Sequence, residues 1–219
     1  MQMDADEDAV ELRNLMTTQA HARARAHEAT DSMTTPSDEA MAAPSAGERF
    51  DLGRGSIAWA PCHIGHSARI GEDVSIGCLA HIGRDVVLGD RCRVQGGAYI
   101  ADRSIIGSDV FVGPNATLLN DRFPPSGNPF LWQPVMVEDG AVIGGAATLV
   151  AGVTVHAAAV IAAGAVVTRD VPASEVWAGM PAKRLMSRME YDAKADRRQS
   201  TEERTEALRE IRGGGRADG

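Results

Sequence analysis

Aromatic residues are scarce in this sequence, with four Phe, two Tyr and three Trp among 219 residues. Packed rings therefore cannot form the main core, and aliphatic side chains have to fill the interior. No run of eighteen apolar residues occurs, so the sequence has no candidate for a membrane-spanning helix. The first residues are acidic (Asp4, Asp6, Glu7 and Asp8), unlike the basic and then apolar order of a signal peptide. We expect no membrane partner.

Cysteine is equally rare, and Cys62, Cys78 and Cys92 have neither the number nor the spacing of a disulfide framework or a zinc motif. We predict that Cys62 and Cys92 are buried thiols. A reducing, cytoplasmic location follows from that prediction.

An excess of basic charge is also missing, since the formal net charge is −8. Residues 1–47 hold nine acidic and three basic residues, so most of the negative charge lies in this leader. The remaining chain is close to neutral, which argues against a nucleic-acid partner.

A six-residue repeat is what the sequence does contain. From residue 64 to residue 118 every sixth residue is a branched aliphatic: Ile64, Ile70, Ile76, Ile82, Leu88, Val94, Ile100, Ile106, Val112 and Leu118. The residue two positions earlier is small in each case, and the residue that follows is mostly glycine. The repeat resumes after an interruption at Val137, Ile143, Leu149, Val155, Ile161 and Val167.

A period of six fits neither an α-helix nor a long strand, and it is typical of a parallel β-helix. Three hexads close one triangular coil, so residues eighteen apart stack on each other. We predict an all-β domain of about five or six coils. One predicted outward column is His63, His81, Tyr99 and Thr117, and another contains Val87 and Ile105. An apolar outward column favours self-association of the domain.

The interruption and the two tails set the domain boundaries. Residues 120–135 contain prolines, glycine and three aromatics (Phe123, Phe130 and Trp132), which predicts a loop extruded from the β-helix. We therefore divide the chain into an acidic leader over 1–47, disordered or partly helical, a β-helix over 48–182, and a C-terminal helix with a flexible tail over 183–219.

Several motifs within residues 50–186 resemble the hexapeptide acyltransferases. They are Trp59-Ala60-Pro61-Cys62-His63-Ile64, Asp109-Val110-Phe111-Val112-Gly113-Pro114-Asn115, Asn120-Asp121-Arg122-Phe123-Pro124 and Val176-Trp177-Ala178-Gly179-Met180-Pro181-Ala182-Lys183. Within that family the chain looks most similar to N-acetyltransferases that act on nucleotide-linked amino sugars. Two positions depart from the family pattern: Met180 replaces an asparagine, and Gly96-Gly97 replaces a pair of asparagines after Gln95.

The resemblance implies a left-handed β-helix, a homotrimer with active sites between subunits, and acetyl-CoA as acyl donor without a metal. It implies transfer to the amine of a nucleoside-diphosphate amino sugar, with a thymidine-diphosphate 3-amino-deoxyhexose as one candidate. The proton then leaves with the CoA sulfur or passes to a protein base.

His81 and Asn120 are the candidate catalytic residues. His81 and His63 are candidate bases because imidazole as a group can accept a proton near neutral pH, but a polar column at a subunit interface is an alternative for both. Asn120 suits a hydrogen bond to the sugar, and it also fits an Asn-Asp turn that begins the loop. The candidate substrate-binding residues are His63, Gln95, Tyr99, Asp121, Arg122 and Phe123. The loop aromatics can stack on a nucleotide base or anchor the loop on the next subunit.

Small residues of the later coils would let an extended pantetheine approach the backbone, and basic residues would meet its phosphates. The candidate cosubstrate-binding residues are Gly145, Ala163, Gly164, Thr168, Gly179, Pro181, Ala182, Lys183 and Arg184. Ordinary corner residues and a solvated basic turn would give the same pattern.

Two other functions stay open. A zinc-dependent β-helix enzyme of the γ-carbonic-anhydrase type would use histidines, but His63 and His66 straddle a corner and should point apart. The second alternative is a non-catalytic β-helix that binds partners through its loop and tails.

Overall fold

The computed structural model describes residues 47–199. These residues form twenty strands, one 3-10 turn (Pro129–Leu131) and one helix, α1 (Arg188–Gln199). The strands in chain order are β1 (Arg49–Gly53), β2 (Ser56–Trp59), β3 (His63–Ile64), β4 (Arg69–Ile70), β5 (Ser75–Ile76), β6 (His81–Ile82), β7 (Val87–Leu88), β8 (Arg93–Val94), β9 (Tyr99–Ile100), β10 (Ile105–Ile106), β11 (Phe111–Val112), β12 (Thr117–Leu118), β13 (Met136–Val137), β14 (Val142–Ile143), β15 (Thr148–Leu149), β16 (Thr154–Val155), β17 (Val160–Ile161), β18 (Val166–Val167), β19 (Glu175–Ala178) and β20 (Lys183–Ser187).

Strands β2 to β18 belong in turn to three sheets, within which they run parallel, and the sheets form the sides of a triangular prism. The nine-stranded sheet has the order β1-β2-β5-β8-β11-β14-β17-β19-β20, the six-stranded sheet β18-β15-β12-β9-β6-β3, and the five-stranded sheet β16-β13-β10-β7-β4. Ile64 pairs with Ile82, and Ile82 with Ile100, so residues eighteen apart stack as predicted. The parallel β-helix is confirmed, and it has about seven turns where five or six were expected. The irregular stretches that contain β2 and β19 add the extra strands to the nine-stranded sheet.

The aliphatic positions of the repeat fill the prism. From Ile70 to Val167 each of them is at most 3% exposed, and the small residues two positions earlier are buried with them. Ile64 and Cys62 are only partly buried, because they lie in the first regular coil and no further coil of residues 47–199 covers them on one side. The prediction of a buried thiol therefore holds for Cys92 and is wrong for Cys62.

The ends of the nine-stranded sheet are closed by antiparallel pairs. β1 pairs with β2 at one end, and β20 pairs with β19 at the other. The predicted C-terminal helix therefore begins later than expected, at Arg188, because residues 183–187 complete this sheet. Closing the edge in this way satisfies backbone groups that a terminal parallel strand would leave open. Residues 1–46 of the leader and the last twenty residues lie outside the described residues. The latter include Ser200 and Glu203, whose spacing in the sequence predicts a capping box for the C-terminal helix.

A different capping pair begins α1. The Ser187 backbone N–H donates to Glu190 Oε2 at 2.7 Å, and the Glu190 N–H donates to Ser187 Oγ at 3.2 Å. These reciprocal bonds are the capping box that Ser and Glu three residues apart indicate. The same contacts lower the pKa of Glu190, chiefly through the Ser187 backbone N–H.

We expect Ser187→Ala to loosen the first turn of α1 without affecting the prism. Loss of the cap should speed hydrogen exchange of the Glu190 amide by about fivefold. Ser187→Asp, which retains a capping oxygen, is the control and should exchange like the wild type. Equal exchange in all three proteins would show that the box does not hold the helix.

Candidate active site

The six-stranded sheet carries a column of stacked rings on its outer face. His63, His81 and Tyr99 are in register on β3, β6 and β9. The centroids of His63 and His81 are 4.5 Å apart with planes at 15°, and those of His81 and Tyr99 are 4.6 Å apart at 14°. The predicted outward column is therefore present, and it continues at Thr117 on β12. His63 and Tyr99 cover the two faces of the His81 ring. The two ring nitrogens lie at the edge of the ring and are not covered by this stacking.

A shallow, open pocket adjoins the end of this column that is formed by His63 and His81. It is lined by Pro61, Cys62, His63, Leu79, Ala80 and His81. Two imidazoles and one thiol thus face solvent beside apolar side chains. This combination is suited to a small polar ligand with an apolar part.

The histidine at the centre of the stack is biased toward its neutral form. Burial lowers the pKa of His81, and the neighbouring charge of His63 lowers it further, while Asp102 opposes the shift. A neutral imidazole near pH 7 can accept a proton, which is the property that general-base chemistry needs.

One edge of the six-stranded sheet is a corner of small residues. We call it the glycine–alanine corner, formed by the turns between β8 and β9, β11 and β12, β14 and β15, and β17 and β18. It brings together Gly145, Ala163 and Gly164 of the predicted cosubstrate-binding residues. Gly164 has a φ of +68°, and a Cβ placed there would meet nothing within 4 Å. At Gly164 the corner therefore leaves open space beside its backbone.

The other predicted cosubstrate-binding residues are more scattered. Gly179 and Pro181 extend the glycine–alanine corner, since Val166 N–H donates to the Gly179 carbonyl at 3.0 Å. Ala182 belongs to the core and is 3% exposed, so its side chain cannot reach a ligand. Thr168 lies on the opposite edge of the sheet, after β18. The structure thus does not group Thr168 and Ala182 with the rest.

The two basic residues that follow the corner differ in their partners. Lys183 is exposed at the start of β20. Arg184 donates from Nε to Glu175 Oε1 at 2.9 Å, so a carboxylate already compensates its charge.

Gln95 lies on the glycine–alanine corner, directly after β8. Next to it, the Asn115 side chain reaches over Gly97 and occupies the space where a side chain at Gly97 would begin. Asn115 and Gly97 both have positive φ, which asparagine and glycine tolerate best. Asn115 belongs to the family-like motif of residues 109–115 but is not among the predicted site residues, although asparagine at a corner position signals this backbone conformation. The carboxamide of Asn115 lies one coil away from Gly96-Gly97, where the sequence departs from the family pattern.

The opposite edge of the six-stranded sheet carries the extruded loop. A backbone bond from Gln133 N–H to the Asn120 carbonyl, 2.7 Å long, closes its neck, so the loop proper spans 121–132. Asn120 Nδ2 lies 3.4 Å from the Asp102 carbonyl of the coil below. Asn120 follows β12, two coils after β6, so this chain does not bring Asn120 and His81 together.

Asp121 organises the loop from within. Its Oδ1 accepts from Phe123 N–H at 3.1 Å, and its Oδ2 accepts from Ser126 N–H at 2.9 Å. The Ser126 bonds hold the pKa of Asp121 below its usual range. Arg122 donates from Nη1 to the Ala151 carbonyl at 3.2 Å. Asp121 and Arg122, which the sequence predicts to bind substrate, thus make hydrogen bonds within the chain. This is what an Asn-Asp turn at the start of the loop would give.

The loop is fixed to the prism but its tip is exposed. Arg103 donates to the Pro129 carbonyl at 2.8 Å, and its guanidinium lies 5.7 Å from the centroid of the Trp132 ring. Phe123 is 79% exposed and Phe130 is 93% exposed. Of the three loop aromatics, only Trp132 packs against the chain; the other two face solvent. Nothing in the sequence singled out Arg103, since charged residues are common at the corners.

Neither a cluster of metal-ligating side chains nor a membrane-spanning helix is found among residues 47–199. Within residues 47–199, no three His, Cys, Asp or Glu side chains come together as metal ligands. His66 bonds Ser67 through Nδ1 at 2.8 Å. The helices found in the same range are too short or too polar to cross a lipid bilayer.

Comparison with known proteins identifies the repeat. The family described as bacterial transferase hexapeptide (six repeats) matches residues 67–102 and 85–120. The hexapeptide repeat of succinyl-transferase matches residues 134–169. Among curated proteins, the 2,3,4,5-tetrahydropyridine-2,6-dicarboxylate N-acetyltransferase of Staphylococcus aureus is 47% identical over 77 residues, which are 35% of this chain and 30% of that enzyme. The match thus spans less than a third of the curated relative.

Solved structures share the fold at low identity. The acetyltransferase domain of PglB from Neisseria gonorrhoeae is 24% identical over 59% of this chain and 57% of that chain, with a TM-score of 0.52. AntD, an N-acyltransferase from Bacillus cereus in complex with dTDP and 3-hydroxybutyryl-CoA, is 12% identical over 67% of this chain and 88% of that chain, with a TM-score of 0.51. These likenesses concern the β-helix itself. The stacked six-residue coils of residues 67–120 and 134–169 are thus similar to the hexapeptide repeats of bacterial transferases.

Proposed function

We propose that this protein is an acetyl-CoA-dependent N-acetyltransferase that acts on the amino group of a nucleoside-diphosphate-linked sugar. The observation that carries the proposal is the stacked column of His63, His81 and Tyr99 beside an open glycine–alanine corner. The column offers an acceptor for a proton, and the corner offers a path for a long, narrow donor. The name of the Staphylococcus aureus relative supports transfer to nitrogen.

The donor supplies an activated acetyl thioester, and the protein has to align and deprotonate the amine. An amino-sugar nitrogen with a pKa near that of an α-amino group (about 7.7–8.0) is partly neutral at pH 7. His81, whose pKa is lowered chiefly by burial, accepts a proton from the amine through a ring nitrogen. His63 and Tyr99 fix the plane of the imidazole through the stack. Positioning of this kind is a large part of catalysis for an activated acyl donor.

The cosubstrate fits the glycine–alanine corner. The turn residues Gly145, Ala163 and Gly164 carry little or no side chain, and the space beside Gly164 is open. Gly179 and Pro181 continue this path, and exposed Lys183 follows it. We therefore assign the pantetheine arm to this corner and place no contact on Ala182 or Thr168.

The acceptor site lies between this corner and the loop. Gln95 and Asn115 offer carboxamides suited to sugar hydroxyls or the amine. A dicarboxylate acceptor, as in the name of the Staphylococcus aureus relative, would instead need cations on the ring column. The outward residues of the six-stranded sheet are His63, His81, Tyr99, Thr117, Thr148 and Val166, and none has a permanent positive charge. This favours the sugar.

We also infer a homotrimer with sites between subunits, working in the cytoplasm. The exposed Phe123 and Phe130 on a loop anchored by Arg103 form a rigid apolar projection, which a second copy can cover. In a trimer, the loop of one subunit would also lie near the ring column of the next. Its Asp121, Arg122 and Phe123, which the sequence predicts to bind substrate, would then reach that column. The three free thiols agree with a reducing compartment.

A thiol-release assay tests the proposal. Purified protein with acetyl-CoA is offered nucleotide amino sugars and, separately, tetrahydropyridine dicarboxylate. Release of CoA with a nucleotide amino sugar, and product mass increased by one acetyl group, is the expected result. Release of CoA only with the dicarboxylate would show that the acceptor is the dicarboxylate and not a nucleotide amino sugar. No release with any amine would contradict the proposed acetyltransferase activity. Light scattering of the same sample should give three times the mass of one chain.

A further inference from the structure

The candidate active site needs a hydrogen-bond donor besides His81. When an amine attacks a thioester, negative charge builds on the carbonyl oxygen, and a donor placed at that oxygen lowers the barrier. In the proposed function His81 accepts the proton of the amine, so a second group has to supply this donor. The group must border the same space outside the six-stranded sheet, which directs attention to its neighbours on the ring column.

Tyr99 meets this requirement. It lies one coil after His81 in register, and the two ring centroids are 4.6 Å apart with an angle of 14° between the planes. The phenolic hydroxyl is at the tip of the longer side chain, so it extends past the edge of the imidazole that the ring covers. The hydroxyl of Tyr99 and the outer edge of the His81 ring therefore face the same space, one coil apart.

The Tyr99 hydroxyl is available to a ligand. Tyr99 is 42% exposed, and its side chain is held by the stack on His81. Within residues 47–199 no group makes a hydrogen bond with the hydroxyl. A phenolic O–H is a hydrogen-bond donor, and a ring fixed by stacking loses little freedom when that donor binds.

The strand position of Tyr99 places it on the side of the sheet that faces the proposed cosubstrate path. Tyr99 is the first residue of β9, and the turn before it belongs to the glycine–alanine corner. Between Gln95 and Tyr99 the chain has only Gly96, Gly97 and the buried Ala98. No exposed side chain of this turn therefore separates the Tyr99 ring from the corner.

We propose that Tyr99 is a further catalytic residue, whose hydroxyl donates a hydrogen bond to the carbonyl oxygen of the acetyl thioester. This inference rests on the proposed acetyl transfer and deepens it. The stack on His81 then has two consequences: it fixes the plane of the base, and it sets the donor at a constant distance from the base. The proton acceptor and the oxyanion donor thus come from adjacent coils of one rigid sheet.

The chemical step uses both residues without a change in Tyr99. The amine nitrogen forms a bond to the carbonyl carbon, and the π electrons of the carbonyl move to its oxygen, where the Tyr99 hydroxyl meets the charge. The amine gives a proton to His81. The carbonyl then re-forms as the C–S bond breaks, and the sulfur of CoA leaves with the electron pair and takes the proton from His81. Tyr99 keeps its own proton throughout.

Thr117 is the other hydroxyl residue next to Tyr99 on this column. Its side chain is short and half-buried, so its hydroxyl stays close to the sheet. It also lies two coils from His81, where Tyr99 lies one coil away. The geometry therefore favours Tyr99, and Thr117 is the alternative that an experiment has to separate.

Steady-state kinetics of Tyr99→Phe test the assignment, because phenylalanine retains the ring on His81 and removes only the hydroxyl. The kcat for acetyl transfer should fall about a hundredfold, the usual effect of removing one donor to an oxyanion. The KM for acetyl-CoA should stay unchanged, since the donor acts on charge that develops in the transition state. The acidic limb of the pH profile should also stay in place, because the His81 ring remains covered.

Tyr191→Phe is the matched control. Tyr191 is the other tyrosine of the chain, is 40% exposed and lies on α1, which contacts β19 and β20 of the nine-stranded sheet. This variant should retain the wild-type kcat. Tyr99→Leu removes the stack together with the hydroxyl, so it should also move the acidic limb to higher pH, because burial is the main cause of the lowered pKa of His81.

Infrared difference spectroscopy tests the contact without turnover. The wild type and each variant are loaded with acetyl-CoA that carries a carbon-13 label at the carbonyl, with no amine present. A hydrogen bond to the carbonyl oxygen lowers its stretching frequency. The labelled band should therefore lie lower in the wild type and in Tyr191→Phe than in Tyr99→Phe. The same frequency in all three proteins would contradict the contact.

The kinetic outcomes separate this inference from the proposed function. If the wild type releases no CoA with any amine, the proposed function fails and the inference fails with it. If the wild type transfers acetyl groups and Tyr99→Phe does so equally well, only the inference fails, and Tyr99 then serves the imidazole alone. A greater loss of kcat in Thr117→Val than in Tyr99→Phe would also overturn it, because the donor would then be Thr117.

Discussion

Replacing His81 by asparagine should reduce kcat/KM for acetyl transfer by about a hundredfold, the usual contribution of a positioned general base. Asparagine retains hydrogen-bonding groups but cannot take a proton, and it breaks the ring column between His63 and Tyr99. The measurement is initial-rate thiol release with the preferred amino sugar at saturating acetyl-CoA. His66→Asn is the matched control, since His66 lies at an exposed turn beside Ser67 and should retain wild-type activity.

The pH profile gives an independent test of the same residue. Because burial and the His63 charge lower the pKa of His81, the acidic limb of kcat/KM should lie below pH 6.5, the ordinary value for histidine. The neutral form is active, so the rate is retained above that pKa and lost as the pH falls through it. His63→Asn removes one cause of the lowering and should move the limb to higher pH.

A different result for His81→Asn has a clear meaning. Activity within a few fold of the wild type, with an unchanged acidic limb, would show that the departing thiolate of the donor takes the proton. The histidines would then be a polar column at a subunit contact. Asn115→Ala and Gln95→Ala should in that case become the most damaging substitutions of this site, because alignment would be all that the protein supplies.

Ile106→Ala should destabilise the prism by about 3 kcal/mol, within the range known for truncating a buried aliphatic. Ile106 is 1% exposed and stacks between Leu88 and Val137 on adjacent coils. Removing its side chain leaves a cavity that the rigid coils cannot close. For a chain of this length the midpoint of thermal unfolding should fall by roughly 6–12 °C.

Ile105 provides a matched control, because it precedes Ile106 in the same strand but points outward and is only partly buried. Ile105→Ala should cost less than Ile106→Ala in the isolated chain. If outward Val87 and Ile105 pack against another copy, the Ile105→Ala midpoint should also depend on protein concentration. Equal losses for both variants at every concentration would contradict the inward and outward assignment of the strand.

The repeat explains why so much of the fold could be predicted. A six-residue period that places an aliphatic inward at each step has one simple solution, in which coils stack eighteen residues apart. The pairing of His63 with His81 and of His81 with Tyr99 followed from that number alone. The loop was equally accessible, since prolines and aromatics after Leu118 cannot continue a coil.

Irregular parts of the chain were harder to predict. Residues 183–187 have the basic and apolar composition of a helix start, yet they form β20, because the open edge of β19 offers backbone partners. The capping pair that was chosen from the sequence lies beyond the described residues, while Ser187 and Glu190 carry the same signal and do begin α1.

The residue sequence thus determined the prism, the contents of its outward columns and the point where the loop leaves, because these depend on a local period. Only the tertiary structure decided which charges and carboxamides are free. Arg184 pairs with Glu175, Asp121 accepts hydrogen bonds from its own loop, and Arg169 lies over the Trp177 ring with no carboxylate partner within residues 47–199. Each of these depends on a contact across coils or across a turn, and a single-residue pattern cannot encode which of several similar partners is close enough to bond.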